Sequence, residues 1–187
     1  MQDDIKKACD VLKKGGIILY PTDTIWGVGC DATNEEAVKR IYELKQRDDS
    51  KSMLVLLDNP AKLQAYVKDV PDIAWDLIDL TDKPLTIIYE GAKNLAPNLI
   101  APDGSIGVRI TAETFSMELC RQFRKPIVSS SANVSGEPSP ASFSQIGQAI
   151  KNGVDYIVTY RQKEQGKSQP SAIVKLEKDC SIKVIRK

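Results

Sequence analysis

Residues 16–47 read GIILYPTDTIWGVGCDATNEEAVKRIYELKQR, and the rest of the chain can be read outward from them. The apolar run Ile17-Ile18-Leu19-Tyr20 predicts a short strand. Pro21 stops it, because proline has no N–H to give a central strand. Thr22, Asp23, Thr24 and Trp26 follow, with Gly27 and Gly29 two apart, and these predict a loop. A helical pattern comes next and ends in Lys45 and Arg47. Thus a strand delivers small hydroxyls and glycines to a loop, and a helix delivers two cations. Glycines allow close backbone approach, and hydroxyls and cations donate hydrogen bonds, so this set suits an anionic ligand.

Composition narrows the chemistry. The 187 residues fit one domain spanning 1–187, and 42% hydrophobic with 27% charged residues fits a packed core. The formal net charge of +1 lacks the basic excess of a general nucleic-acid binder, although a basic cleft fits inside a balanced total. There is no histidine. That removes Ser-His-Asp and Cys-His systems and the commonest metal ligand. Proton transfer is left to carboxylates, lysine, tyrosine, water or substrate, and no side chain is assigned as catalytic acid or base. Cys9, Cys30, Cys120 and Cys180 are scattered, so they suggest neither a zinc knuckle nor a redox pair. They read as small core residues of a protein in the reducing cytoplasm. No apolar run approaches the roughly 18 residues of a membrane span, and MQDDIKK has no signal-peptide core.

Taken in order, the chain predicts mixed strands and helices. Asp3 and Asp4 open a helix with Ile5, Ala8, Cys9 and Leu12 as its buried stripe, ended by Gly15-Gly16. Thr33 and Glu36 form a capping-box pattern for a helix whose core face is Ala37, Val38, Ile41, Tyr42 and Leu44. Ser52 to Leu57 predicts a strand covered on both faces. Residues 60–80 predict one or two short helices, Leu85 to Tyr89 a strand, 91–105 a loop, and Ile106 to Thr111 a strand carrying Arg109. A helix over 113–123, a strand from Pro126 to Ser129 and a helix from about 142 to 151 follow. Tyr156 to Thr159, Ala172 to Leu176 and Ile182 to Ile185 are expected strands, and 161–169 is polar. Without strict alternation of strand and helix, the expectation is a mixed sheet with helices packed on it.

Three places carry candidate chemistry. Lys45 and Arg47 have a plain alternative, since cations in a last helical turn gain ~0.3–1 kcal/mol from the dipole. Two residues apart on a helix they point away from each other. They can share a ligand only if the helix ends near Lys45, and Asp48-Asp49-Ser50 is a suitable breaker, with Lys51 then a third cation. Ser129 to Gly136 is either a polar turn or a small-residue loop whose N–H groups converge on an anion. It is neither G-x-x-x-x-G-K-[ST] nor G-x-G-x-x-G. Arg109 alone reads as a strand cation, and Pro170-Ser171 alone as a turn.

The combination is more specific than its parts. YPTDTIWGVGCDA, KQR at 45–47, VRIT at 108–111, SSANVSG at 130–136 and PSAIV at 170–174 occur in that order. Together they resemble the YrdC-like family of threonylcarbamoyl-AMP synthases. The resemblance implies an α/β (mixed α+β) fold: a twisted mixed sheet with flanking helices around a concave, positively charged cavity. It implies a nucleotidyltransferase that condenses L-threonine, bicarbonate and ATP into threonylcarbamoyl-AMP and pyrophosphate. Mg²⁺ would come with ATP, and no zinc is expected. Partner transferases would then carry the group to tRNA. By the same resemblance Lys45, Arg47, Ser131 and Asn133 serve ATP, while Thr24, Arg109 and Ser171 line the threonine site. Trp26 stands where tyrosine is common, and Asp48, Ser52 and Thr111 stand where prolines are frequent. The length matches the short form without a second domain. Two other readings stand beside it. One is a double-stranded RNA- or tRNA-binding or ribosome-assembly protein using the same basic concavity; the other is a small-molecule binder, or a domain serving other carbamoyl-adenylate chemistry such as hydrogenase maturation.

Overall fold

A computed structural model describes residues 1–47, 53–164, 169–177 and 181–187. Helix α1 (Gln2–Lys13) buries Ile5, Ala8, Cys9 and Leu12, the predicted stripe. Asp4 does more than favour the helix start. Its carboxylate accepts from the Thr159 amide and hydroxyl at 3.0 and 2.8 Å, from the Tyr160 amide at 3.1 Å and from the Tyr156 hydroxyl at 2.5 Å. Burial pushes its pKa upward, but these hydrogen bonds together outweigh burial and hold it below the ordinary value.

Strand β1 (Ile18–Tyr20) is buried throughout and stops at Pro21 as expected. The next segment departs from expectation. Gly27–Gly29 is a strand, β2, not a loop, and pairs antiparallel with β1 and with β6 (Ile127–Ser131). Gly29 serves close approach. A Cβ on Gly29 would lie 2.4 Å from the Val128 carbonyl oxygen and 2.7 Å from the Tyr20 ring, where no side chain fits.

Helix α2 (Glu35–Lys45) is capped by Asn34, whose side chain accepts from the Ala37 amide at 3.1 Å. The predicted Thr33–Glu36 box does not form. Thr33 instead donates its amide and hydroxyl to Asp31 Oδ1, at 2.8 and 2.7 Å, in a local Asp–Thr turn that precedes the Asn34 cap. The helix ends at Lys45. Gln46 adopts a left-handed φ of 48°, and the Arg47 amide turns back to the Tyr42 carbonyl at 2.9 Å. The termination needed for Lys45 and Arg47 to face one region is therefore present. Asp48, Lys51 and Ser52 lie outside the described residues.

The remaining elements are β3 (Leu54–Leu57), α3 (Asp72–Leu80), β4 (Leu85–Tyr89), β5 (Ile106–Ile110), α4 (Thr114–Phe123), α5 (Gln148–Gly153), β7 (Tyr156–Ile157), β8 (Ala172–Leu176) and β9 (Ile182–Arg186). Among the described residues the strands form one mixed sheet in the order β7-β1-β2-β6-β3-β5-β4-β8-β9. β3 runs parallel to β5 and antiparallel to β6, and β4 lies antiparallel to β5 and parallel to β8. The helix expected over about 142–151 is split into a 3-10 turn, Phe143–Gln145, and α5. Ile146 between them is extended and buried, which breaks the helical run. Cys9, Cys30 and Cys120 are free and buried, consistent with their reading as core residues; Cys180 lies outside the described residues.

Candidate active site

A pocket of about 250 Å³ opens on one side of the sheet, called the front here. Side chains alternate along a strand, so Thr86, Ile88, Gly107 and Arg109 reach it from β4 and β5, while their neighbours face the rear. Its wall includes Thr24, Arg47, Arg109, Ser131 and Ser171, five of the seven residues named from sequence, drawn from five separate segments. No aspartate or glutamate lines it among the described residues.

Arg109 is 3% exposed. Its Nη2 lies 3.1 Å from Asp23 Oδ1, an ion pair without hydrogen-bond alignment, and its Nε has no hydrogen-bond partner among the described residues. Burial raises the Asp23 pKa, with Arg109 pulling the other way. Burial likewise lowers that of Arg109, and Asp23 opposes. The pair is thus partly satisfied, and the guanidinium keeps donor capacity.

Thr24 has a defined polarity. The Thr22 hydroxyl donates to the Ile25 carbonyl at 2.7 Å and accepts from the Thr24 amide at 3.1 Å. Its one proton is committed, so in the 3.0 Å contact between the two hydroxyls Thr24 must be the donor. The Thr24 oxygen is left as an acceptor on the pocket wall.

Sequence reasoning missed Arg186. It lines the pocket from β9, and its Nε donates to the Ser171 carbonyl at 2.9 Å. Its Nη2 lies 3.5 Å from the Ser171 hydroxyl, which also meets Thr86 Oγ1 at 2.8 Å. Burial and then the nearby Arg109 lower its pKa. Only the cation ending a strand hinted at it, which is too common a pattern to single out.

Lys45 and Asn133 stand behind the wall. Lys45 is 1% exposed, and its Nζ donates to the Ser131 carbonyl and to that of Asn133 at 2.6 Å. Burial, with Arg47 adding repulsion, pulls its pKa down to about 8. Asn133 Nδ2 donates to the Val134 and Glu137 carbonyls at 3.0 and 2.7 Å, and the Ser135 amide donates to the Lys45 carbonyl at 2.8 Å. The dipole explanation for Lys45 thus gives way to a buried link between the end of α2 and the 131–137 loop. Arg47 does reach the pocket. Thr111, where proline is frequent, donates its amide to the Leu57 carbonyl at 2.9 Å, a bond proline could not make.

Comparison with known proteins places this geometry in context. The family model Sua5_yciO_yrdC, described as "Telomere recombination", matches residues 10–187. A threonylcarbamoyl-AMP synthase of Pseudoalteromonas translucida is 34% identical over 175 residues, covering 92% of each chain. A putative threonylcarbamoyl-AMP synthase of Methanocaldococcus jannaschii is 32% identical over 188 residues, covering 98% of this chain and 87% of the other. The crystal structure of P. abyssi Sua5 complexed with L-threonine superposes with a TM-score of 0.82 at 25% identity. That likeness covers 92% of this chain, which spans 50% of the Sua5 chain. E. coli YciO has a TM-score of 0.87 at 24% identity, covering 100% of this chain and 90% of its own, and likewise shares the mixed sheet with flanking helices. The chain therefore belongs to the Sua5/YciO/YrdC family.

Proposed function

We propose that the front pocket makes L-threonylcarbamoyladenylate from L-threonine, bicarbonate and ATP, releasing pyrophosphate. One observation supports this above the others: Arg47, Arg109 and Arg186 line a pocket that no described carboxylate lines. Such a site favours ligands that bring several negative charges. The names of the relatives and the threonine carried by the Sua5 neighbour identify which anions fit that description.

In this reading the threonine carboxylate takes the open donors of Arg109, in a charge-assisted contact. The Thr24 oxygen accepts from the substrate nitrogen, and Ser171 borders the same end. The threonine amine adds to carbon dioxide derived from bicarbonate and loses a proton, giving a carbamate. A carbamate oxygen attacks the α-phosphorus of ATP; the new P–O bond forms as the bond to pyrophosphate breaks. Arg47, Ser131 and the loop held by Lys45 and Asn133 receive the triphosphate. Such a transfer rests on positioning and charge stabilisation, for which no histidine is required. Magnesium would have to arrive bound to phosphate oxygens, since the described lining offers it hydroxyls but no carboxylate. The adenylate would then pass to transferase proteins that modify tRNA.

The test is pyrophosphate release with each substrate omitted in turn. Release should require ATP, L-threonine and bicarbonate together, need magnesium, and proceed without RNA. Equal ATP hydrolysis with threonine absent would overturn the proposal. So would absence of adenylate under every combination while the protein binds RNA with a steep salt dependence.

A further inference from the structure

The rear of β4 and β5 carries a second cavity, of about 440 Å³, which the front-pocket reading does not use. Its walls are Ile87, Val108 and Ile110 from the sheet and Ile78 from α3. It exists because α3 covers the sheet incompletely: Ala74 is its one fully buried residue among those described, while Ile73, Trp75, Leu77 and Ile78 are half-buried. The volume and apolar walls fall in the range of small-molecule sites.

Its charged groups define what it would accept. Asp23, Asp82 and Glu113 line it, against Lys83 as the cation among the described residues. Glu113 is occupied, by Arg161 at 3.2 Å and the Ser116 amide at 2.7 Å. Asp82 is exposed, so water can solvate its charge, whereas Asp23 is enclosed. Its side chain is 11% exposed, its one ion pair is with Arg109, and its Oδ1 lacks a hydrogen-bond partner among the described residues. Its raised pKa has burial as the first cause, the mark of a carboxylate whose charge is incompletely compensated. Asp23 also separates the two cavities: it lines the rear one, and its partner Arg109 lines the front one.

We propose that the rear cavity is a second ligand site, that it takes a small aliphatic ammonium ion, and that occupancy strengthens carboxylate binding in the front pocket through the Asp23–Arg109 pair. An alkyl group of a few carbons packs on Ile87, Val108 and Ile110 and occupies part of the cavity, and the ammonium compensates Asp23. A compensated Asp23 draws less on Arg109, which leaves the guanidinium more available to an anion in front. The coupling is reciprocal, so a front anion tightens the rear site by the same factor. The coupling limb rests on the threonine reading of the front pocket; binding in the rear cavity does not.

The experiment uses the full chain with labelled isoleucine methyl groups, titrated with isopentylammonium chloride at matched ionic strength, without ATP or threonine. The methyls of Ile78, Ile87 and Ile110 should shift together and saturate. Isopentanol, of the same shape but uncharged, should bind about tenfold more weakly, the loss of one charge-assisted contact. Asp23→Asn should erase that preference for the ammonium. Equal binding of alcohol and ammonium, or no saturable shift at these methyls, overturns the site. Calorimetry with L-threonine then tests coupling: saturating isopentylammonium should tighten threonine about fivefold. Unchanged threonine affinity overturns the coupling while leaving the rear site standing. Failure of threonine to bind at all, with the methyls still shifting, counts against the front-pocket reading instead.

Discussion

On the front of β4 and β5 stand Thr86, Ile88, Gly107 and Arg109; on the rear stand Leu85, Ile87, Tyr89, Val108 and Ile110. The same two strands thus carry a polar wall and an apolar wall, because successive side chains leave a strand on opposite sides. The two faces have opposite energetics. Burying Arg109 in front costs desolvation that Asp23 offsets only in part. Burying Ile87 and Val108 behind, each 2% exposed, stabilises by roughly 1.5–3 kcal/mol per side chain. The lesson is that the charged pocket is held in place by the face it does not use.

The largest effect should come from the front. Arg109→Ala leaves Asp23 buried without its charge partner, and breaking such a pair costs about 3–5 kcal/mol. Calorimetry should show a clear fall in melting temperature, and threonine-dependent pyrophosphate release should fall roughly 10- to 150-fold, one lost charge-assisted contact. The double variant Asp23→Ala/Arg109→Ala should recover stability but not activity. An Arg109→Ala protein as stable as the parent would break the contrast between the faces.

Next come the two cations at the end of α2. Arg47→Ala should cut turnover by tens of fold with little change in melting, since the side chain meets the pocket. Lys45 differs because it is buried. Its folded pKa, about 8, lies below its ordinary 10.5. Between those values the unfolded chain holds the extra proton, so stability should rise with pH across that window. Any activity that needs the ammonium should fall as pH passes about 8. Denaturant midpoints of the parent relative to Lys45→Met, at either end of the window, separate the two trends. A flat difference would mean that Lys45 keeps its proton throughout.

The smallest effect should come from the rear. Ile87→Val removes one buried methylene and should cost about 0.5–1.5 kcal/mol in urea denaturation. KM for threonine and kcat should stay at parent values. A change in KM without loss of stability would show that the rear wall acts on the front chemistry directly.

Much of this was legible in the chain because it depends on local order. The stop at Pro21 and the stripe of α1 follow from proline and periodicity; α2 does end at Lys45, but its turn is made by Gln46, and the breaker named from sequence lies outside the described residues. What was not legible depends on partners far away. Gly27 and Gly29 read as loop residues because glycine usually marks turns; the close approach that needs Gly29 is set by Val128, on a strand about a hundred residues later. The Thr33 cap failed because the helix starts one residue later, where Asn34 accepts from the Ala37 amide while Thr33 turns to Asp31. Arg186 and the Asp23–Arg109 pair are invisible without the sheet order that brings β9 and β5 to one pocket.

Asp4 bears on how the chain must assemble in time. Each of its four hydrogen bonds reaches a residue 152 to 156 positions onward. Helix α1 is made first, yet its buried carboxylate gains these partners only after residues 156–160 have left the ribosome. Contacts so distant in sequence slow folding, because a long segment must be closed before they form. A chain halted before residue 156 would carry α1 with an uncompensated Asp4, so final docking of the first helix waits for the seventh strand.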